Sequence, residues 1–108
     1  MSRSINGMVL IYLYYTNAEE LTGIFSADQE LSNSAAELIR ELTPALELSL
    51  EQNTSMTVTP EQYDEIMKIL RRIREESSQR LQNTIDYLLK RLATGEIQKA
   101  MLLSIEKN

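Results

Sequence analysis

The longest regular pattern of apolar and polar residues lies in the second half of the chain. Apolar residues recur there at spacings of three, four and eleven residues, which keeps them on one face of an almost straight helix. Thr59-Pro60-Glu61-Gln62 begins this stretch with a helix-capping sequence, and no Gly or Pro follows until Gly95. The pattern predicts one long amphipathic helix over about residues 60–93. Its apolar face comprises Tyr63, Ile66, Leu70, Ile73, Leu81, Ile85, Leu88 and Leu92.

The length of this helix predicts a contact between two copies of the chain. The helix would be roughly 50 Å long, whereas a compact domain of this size has a radius of gyration of about 13 Å. The apolar face would extend beyond its own domain, and a second copy is the simplest cover. An alternative is a break in the polar stretch 74–80, at Ser77 or Ser78, which would give an ordinary bundle. We favour the continuous helix and a homodimer.

The first half of the chain carries a second helical pattern, over residues 27–50. Pro44 lies inside this pattern and predicts a kink rather than two separate helices, because the apolar spacing continues across it. A capping sequence at Ser26 follows a short predicted helix over about residues 17–25. The polar segment 51–59 is predicted to be a loop.

These elements together predict a single all-α domain over residues 1–108, which suits the length of the chain. The domain is a small helical bundle. An acidic helical half, residues 1–50, is joined by the loop 51–59 to the long helix. Apolar residues beyond Gly95 predict a short terminal helix, so that residues 60–108 hold two helices.

The apolar run from Met8 to Tyr15 is too short to span a membrane, which takes about 20 residues. Its composition suits a strand, but no convincing partner strand is evident. We therefore predict a buried helix from about Ile5 or Met8 onward; a strand paired with its own copy across a dimer axis is the alternative. A basic residue, Arg3, precedes the apolar run, as in a signal peptide, but the three tyrosines of the run suit the hydrophobic region of a signal peptide poorly. With no Cys in the chain, a cytoplasmic location is expected.

Charge is distributed unevenly along the chain, whose net charge is −5. Residues 1–58 carry a net charge of −6, and residues 59–108 carry a net charge of +1. One basic cluster stands out, and its members could contact an acidic partner or phosphate groups: Lys68, Arg71, Arg72 and Arg74. The opposite balance of the two halves favours pairing of this cluster with the acidic half.

The absence of Cys and His excludes the commonest catalytic and metal-binding groups. Paired carboxylates such as Glu37 with Glu41, or Glu75 with Glu76, are interpreted as solvated helix faces, because carboxylate-bridged metal sites in bundles also use His. We therefore predict no enzyme, no catalytic or metal-binding residues and no cofactor.

The predicted function is a non-enzymatic protein–protein interaction module that acts through helical faces. A small regulator, adaptor, inhibitor or chaperone-like factor would fit this description. The predicted partners are another protein and a second copy of the chain. Two alternatives stay open: a structural homo-oligomer with no other partner, and a nucleic-acid-associated regulator that uses the basic cluster 68–74. Nucleic acid is the less favoured partner because acidic residues surround these few basic ones.

Overall fold

The computed structural model describes residues 3–90 of the chain, and this part is mostly helical. Its principal extents are 36 × 33 × 21 Å. The all-α prediction is confirmed. The elements are β1 (Arg3–Ile5), α1 (Gly7–Thr16), α2 (Ala18–Ala27), α3 (Gln29–Gln52), β2 (Met56–Val58), α4 (Pro60–Glu75) and α5 (Gln79–Leu89). The predicted terminal helix and Leu92 lie outside the described residues.

The two short strands form an antiparallel pair in which Arg3 lies opposite Val58 and Ile5 lies opposite Met56. The segment 51–59 is therefore not only a loop, and the expectation that the chain offers no partner strand was wrong. Met56 and Val58 are buried while the residue between them is exposed. This alternation is the period of two that a half-buried strand produces.

Helix α1 confirms the helical prediction for the apolar run. Asn6 caps it, because its side-chain oxygen accepts a hydrogen bond from the backbone N–H of Met8 at 3.0 Å. A Cβ at Gly7 would lie 2.7 Å from Cδ1 of Leu46, so the absence of a side chain permits close approach of α1 and α3. Helix α1 carries its own apolar side chains on all sides, so some of them point towards solvent.

Helix α3 is one helix that passes through Pro44, as predicted. Its cap is Asp28 rather than Ser26: the Asp28 carboxylate accepts a hydrogen bond from the backbone N–H of Leu31 at 3.0 Å. Asn53 ends the helix in the left-handed conformation, with φ of 53°, which Asn tolerates better than most residues.

The prediction of one continuous helix over about residues 60–93 was wrong, because α4 ends at Glu75 and α5 begins at Gln79. The predicted start of α4 is confirmed by reciprocal hydrogen bonds of 3.0 Å between Thr59 and Gln62. The structure adopts the alternative start at Ser78, whose hydroxyl accepts a hydrogen bond from the backbone N–H of Leu81 at 3.2 Å.

Polar side chains satisfy the backbone groups that this break exposes. Gln82 donates its side-chain N–H groups to the carbonyls of Arg74 and Ser77, at 3.1 and 3.2 Å. The carboxylate of Glu20 in α2 accepts hydrogen bonds from the backbone N–H and the hydroxyl of Ser78, at 2.7 and 2.9 Å. Helix ends lack intrahelical partners, so these contacts stabilise the turn and set its position.

The break changes the interpretation of the predicted dimer face. Six of its residues are buried in the core of the bundle: Ile66, Leu70, Ile73, Leu81, Ile85 and Leu88. Tyr63 is half-buried against that core. These side chains are not available to a second copy, because α5 turns back and buries the second part of the apolar face in the same core. Within residues 3–90 there is no helix that overhangs the domain in the way that motivated the dimer, and the dimer itself stays a prediction.

Replacing Leu81 by Ala should destabilise the fold by about 2–5 kcal/mol, the cost of removing a fully buried leucine and leaving a cavity. Leu81 is 0% exposed, whereas Leu48, a leucine that is 52% exposed, serves as the control. Leu48→Ala should change the free energy of unfolding by less than about 0.5 kcal/mol. Urea denaturation measures both changes, and equal effects would contradict the packing of α5 described here.

Candidate functional site

An open apolar groove is lined by side chains of α1, α2, α3 and α4. Its floor consists of buried side chains that include Leu38 of α3 and Ile66 and Ile69 of α4. Apart from the Tyr14 hydroxyl, no polar side-chain group lines it. The volume of the groove is about 150 Å³. Apolar cavities of about this volume can accept a benzene ring, so the groove can accept one aromatic ring or one branched aliphatic side chain.

Two large apolar side chains at the rim of the groove are more than half exposed to solvent. Tyr14 is 52% exposed and Ile39 is 59% exposed, and both line the groove. Leu10 and Phe25, which also line it, are half-buried. Side chains of this type at the edge of an apolar cavity are typical of a surface that binds another apolar group.

The solvent side of α1 extends this apolar rim. The chain contains no charged residue from Ile5 to Ala18. Tyr15 is 67% exposed, and its ring centroid lies 5.6 Å from that of Tyr14 in an edge-to-face arrangement. We call Leu10, Ile11, Tyr14, Tyr15 and Ile39 together the docking face.

The composition of the docking face matches that of protein-binding surfaces. Tyrosine is enriched at the centres of protein interfaces, and charged residues are depleted there. A helix that is apolar on all sides is normally buried on all sides. Helix α1 is apolar on all sides but is covered only in part, so its exposed side lacks the contact that its sequence indicates.

The basic cluster of α4 is partly used within the fold. The Arg72 guanidinium binds the Asp28 carboxylate at 2.8 Å, which joins the basic part of the chain to the acidic half. Arg74 donates two hydrogen bonds to Asp86 of α5, at 2.7 and 2.9 Å. Among the described residues, no carboxylate lies within ion-pair distance of Lys68 or Arg71. The four residues therefore do not present one free basic surface.

These contacts shift the titration of two aspartates. The hydrogen bond from the backbone N–H of Leu31 and the hydrogen bond from Arg72 hold the pKa of Asp28 below its ordinary value. The hydrogen bonds from Arg74 lower the pKa of Asp86. Both carboxylates consequently stay charged to lower pH than an isolated aspartate.

A second groove, of about 450 Å³, lies between α3 and α4 and is acidic. Its carboxylates are Glu37, Glu41, Glu61 and Glu65. Within residues 3–90, no three acidic, Cys or His side chains are placed to hold a metal ion. In the same part of the chain, no helix has the length and hydropathy needed to cross a membrane.

Comparisons with protein-family models, with curated protein sequences and with solved structures find no match for this chain. The interpretation of the docking face therefore depends on its geometry and chemistry alone.

The structure and the sequence place the candidate interaction surface at different positions. The pattern predicted an interface on α4 and α5, whereas the exposed apolar surface is on α1 and α3. One sequence signal pointed to α1: its run of uncharged residues contains three tyrosines, more than a wholly buried helix needs. The exposure of Ile39 had no such signal, because an apolar residue in the helical pattern of α3 does not by itself indicate whether it faces the core or solvent.

Replacing Asp28 by Asn should destabilise the protein at neutral pH, because Asn still caps α3 but cannot form an ion pair with Arg72. The stability that the charged Asp28 contributes to the wild type is complete above the unfolded-state pKa of an aspartate, about 3.9. It is lost as the pH falls through the lower pKa that Asp28 has in the folded state. The difference in unfolding free energy between the two proteins should therefore narrow below about pH 4. Urea denaturation across this pH range measures it.

The matched control is Asp64→Asn, which changes an exposed aspartate without an ion pair among the described residues. The difference in unfolding free energy between the wild type and this variant should be small and should not change below about pH 4. If the difference in unfolding free energy between the wild type and Asp28→Asn stays unchanged at low pH, an electrostatic role for Asp28 is contradicted.

Proposed function

We propose that this protein is a non-enzymatic interaction module that binds an apolar helical segment of a protein partner through the docking face. The observation that carries this proposal is the groove itself: a cavity for one apolar side chain, open to solvent and bordered by exposed Tyr14 and Ile39. A regulator, adaptor, inhibitor or chaperone-like factor in the cytoplasm would use such a surface.

The arrangement of the face favours a helical segment as its occupant. The two most exposed lining residues belong to two different helices, Tyr14 to α1 and Ile39 to α3, so a third helix that contacts both can insert one apolar anchor. Amphipathic helices bind grooves in this way through apolar residues spaced three, four and seven positions apart. The hydroxyls of Tyr14 and Tyr15 can stay in water at the rim while their rings contact the partner.

Two other functions receive less support. A nucleic-acid regulator would need the basic cluster 68–74 to be free, and two of its arginines are bound to Asp28 and Asp86. An enzyme would need convergent catalytic groups, and the apolar groove offers none except a phenol.

The proposal predicts site-specific contact at position 39. A photoreactive benzoylphenylalanine in place of Ile39, in the full chain in its native cells, should form a cross-link to a peptide with apolar residues at helical spacing. The same group in place of Leu48, which is exposed to a similar degree outside the groove, should not form this product.

The cross-link should also depend on the groove. Adding Leu10→Glu to the photoreactive chain places a charge in the apolar cavity and should reduce the yield at least about tenfold, the loss expected for an interface anchor. Circular dichroism would establish that this variant is folded. Equal yields from positions 39 and 48, or a yield that Leu10→Glu leaves unchanged, would contradict the proposed function.

A further inference from the structure

We infer that a second copy of this chain is the occupant of the docking face, in a twofold pair in which α1 of each copy packs against α1 of the other. This inference rests on the proposed function and names a partner for the same surface. It differs from the dimer that the sequence pattern predicted, because it uses α1 and α3 instead of the buried faces of α4 and α5.

Charge is the first argument for a second copy. The chain has a net charge of −5, so two copies repel each other wherever their charged surfaces approach. The segment Ile5 to Ala18 carries no charge, and it contains all of α1 together with the last residue of β1 and the first residue of α2. A contact between the two α1 helices therefore places no charged residue of this segment against the other copy.

Shape is the second argument, because the docking face carries both a cavity and a side chain of matching size. The groove accepts one aromatic ring. Tyr15, the most exposed large apolar side chain among the described residues, lies next to Tyr14 at the rim. In a twofold contact, each protrusion meets the partner's cavity and the reverse contact follows by symmetry. We assign the ring of Tyr15 to the groove of the other copy.

The location of this contact explains the incomplete burial of α1. Packing of α1 against α1 of a second copy would cover the exposed sides of Tyr14 and Tyr15 together. Rings of this kind stabilise interfaces through their large apolar area, and their hydroxyls can remain at the solvated rim.

The test measures the oligomeric state of the full chain by size-exclusion chromatography with light scattering over a series of concentrations. The wild-type protein should form dimers. Tyr15→Glu should raise the dimer dissociation constant at least about 30-fold, because it removes an anchor and places a carboxylate in the apolar groove of the other copy. Tyr87→Glu is the matched control: Tyr87 is 53% exposed on α5, outside the docking face, and this variant should dimerise like the wild type.

Salt gives a second readout of the same contact. Raising the ionic strength screens the repulsion between two acidic chains, so the wild-type dimer should become tighter. A contact held by ion pairs would become weaker instead and would overturn the inference.

A cross-link then identifies the face. Benzoylphenylalanine at position 15, in a mixture of isotope-labelled and unlabelled chains, should join a labelled chain to an unlabelled one at groove residues of α2 or α3. A wild-type monomer at the highest soluble concentration would overturn the inference, as would a dimer that Tyr15→Glu leaves intact. A monomer does not contradict the proposed function, which the cross-link at position 39 tests separately.

Discussion

The contact between Glu20 and Ser78 determines where the second half of the chain turns. Its two hydrogen bonds connect α2 to the first turn of α5. Both hydrogen bonds lie at the exposed surface, where water competes for the same groups and reduces their contribution. Burying one Leu or Ile side chain contributes about 1.5–3 kcal/mol. Because α5 buries Leu81, Ile85 and Leu88, hydrophobic burial is the larger driving force for the break. Glu20 then selects its position in a polar stretch that could turn at several residues.

Local signals in the sequence predicted most of the helices, and distant contacts account for the errors. The cap at Thr59 and the continuity of α3 through Pro44 depend on neighbouring residues, which a sequence pattern contains. The break at Ser78 is stabilised in part by Glu20, and the strand Met56–Val58 depends on β1, which lies far away in the sequence. Residues 74–80 suit either a continuous helix or a turn, so their own sequence cannot decide between the two.

The position of the docking face could not be predicted from local sequence patterns either. Hydrophobic periodicity identifies the side of α4 that is buried, but it does not distinguish burial in a core from burial against a partner. The stripe on α4 and α5 is long enough for a dimer only if the helix is straight, and the break removes that condition. For α1, the absence of any polar side predicts burial on most of its circumference. Helix α3 approaches α1 closely where Leu46 lies against Gly7, and no local pattern contains this contact.

An uncharged face on an acidic chain also limits how copies can associate. An exposed apolar helix favours aggregation, while the negative charge of the remaining surface opposes any contact that extends beyond that helix. A twofold pair satisfies both constraints, because it covers the two faces at once and leaves no free face for a third copy. The groove adds specificity, since a ring from the partner has one cavity to enter. A closed pair of this kind, as we propose it, would cover the uncharged surface without extending into a larger assembly.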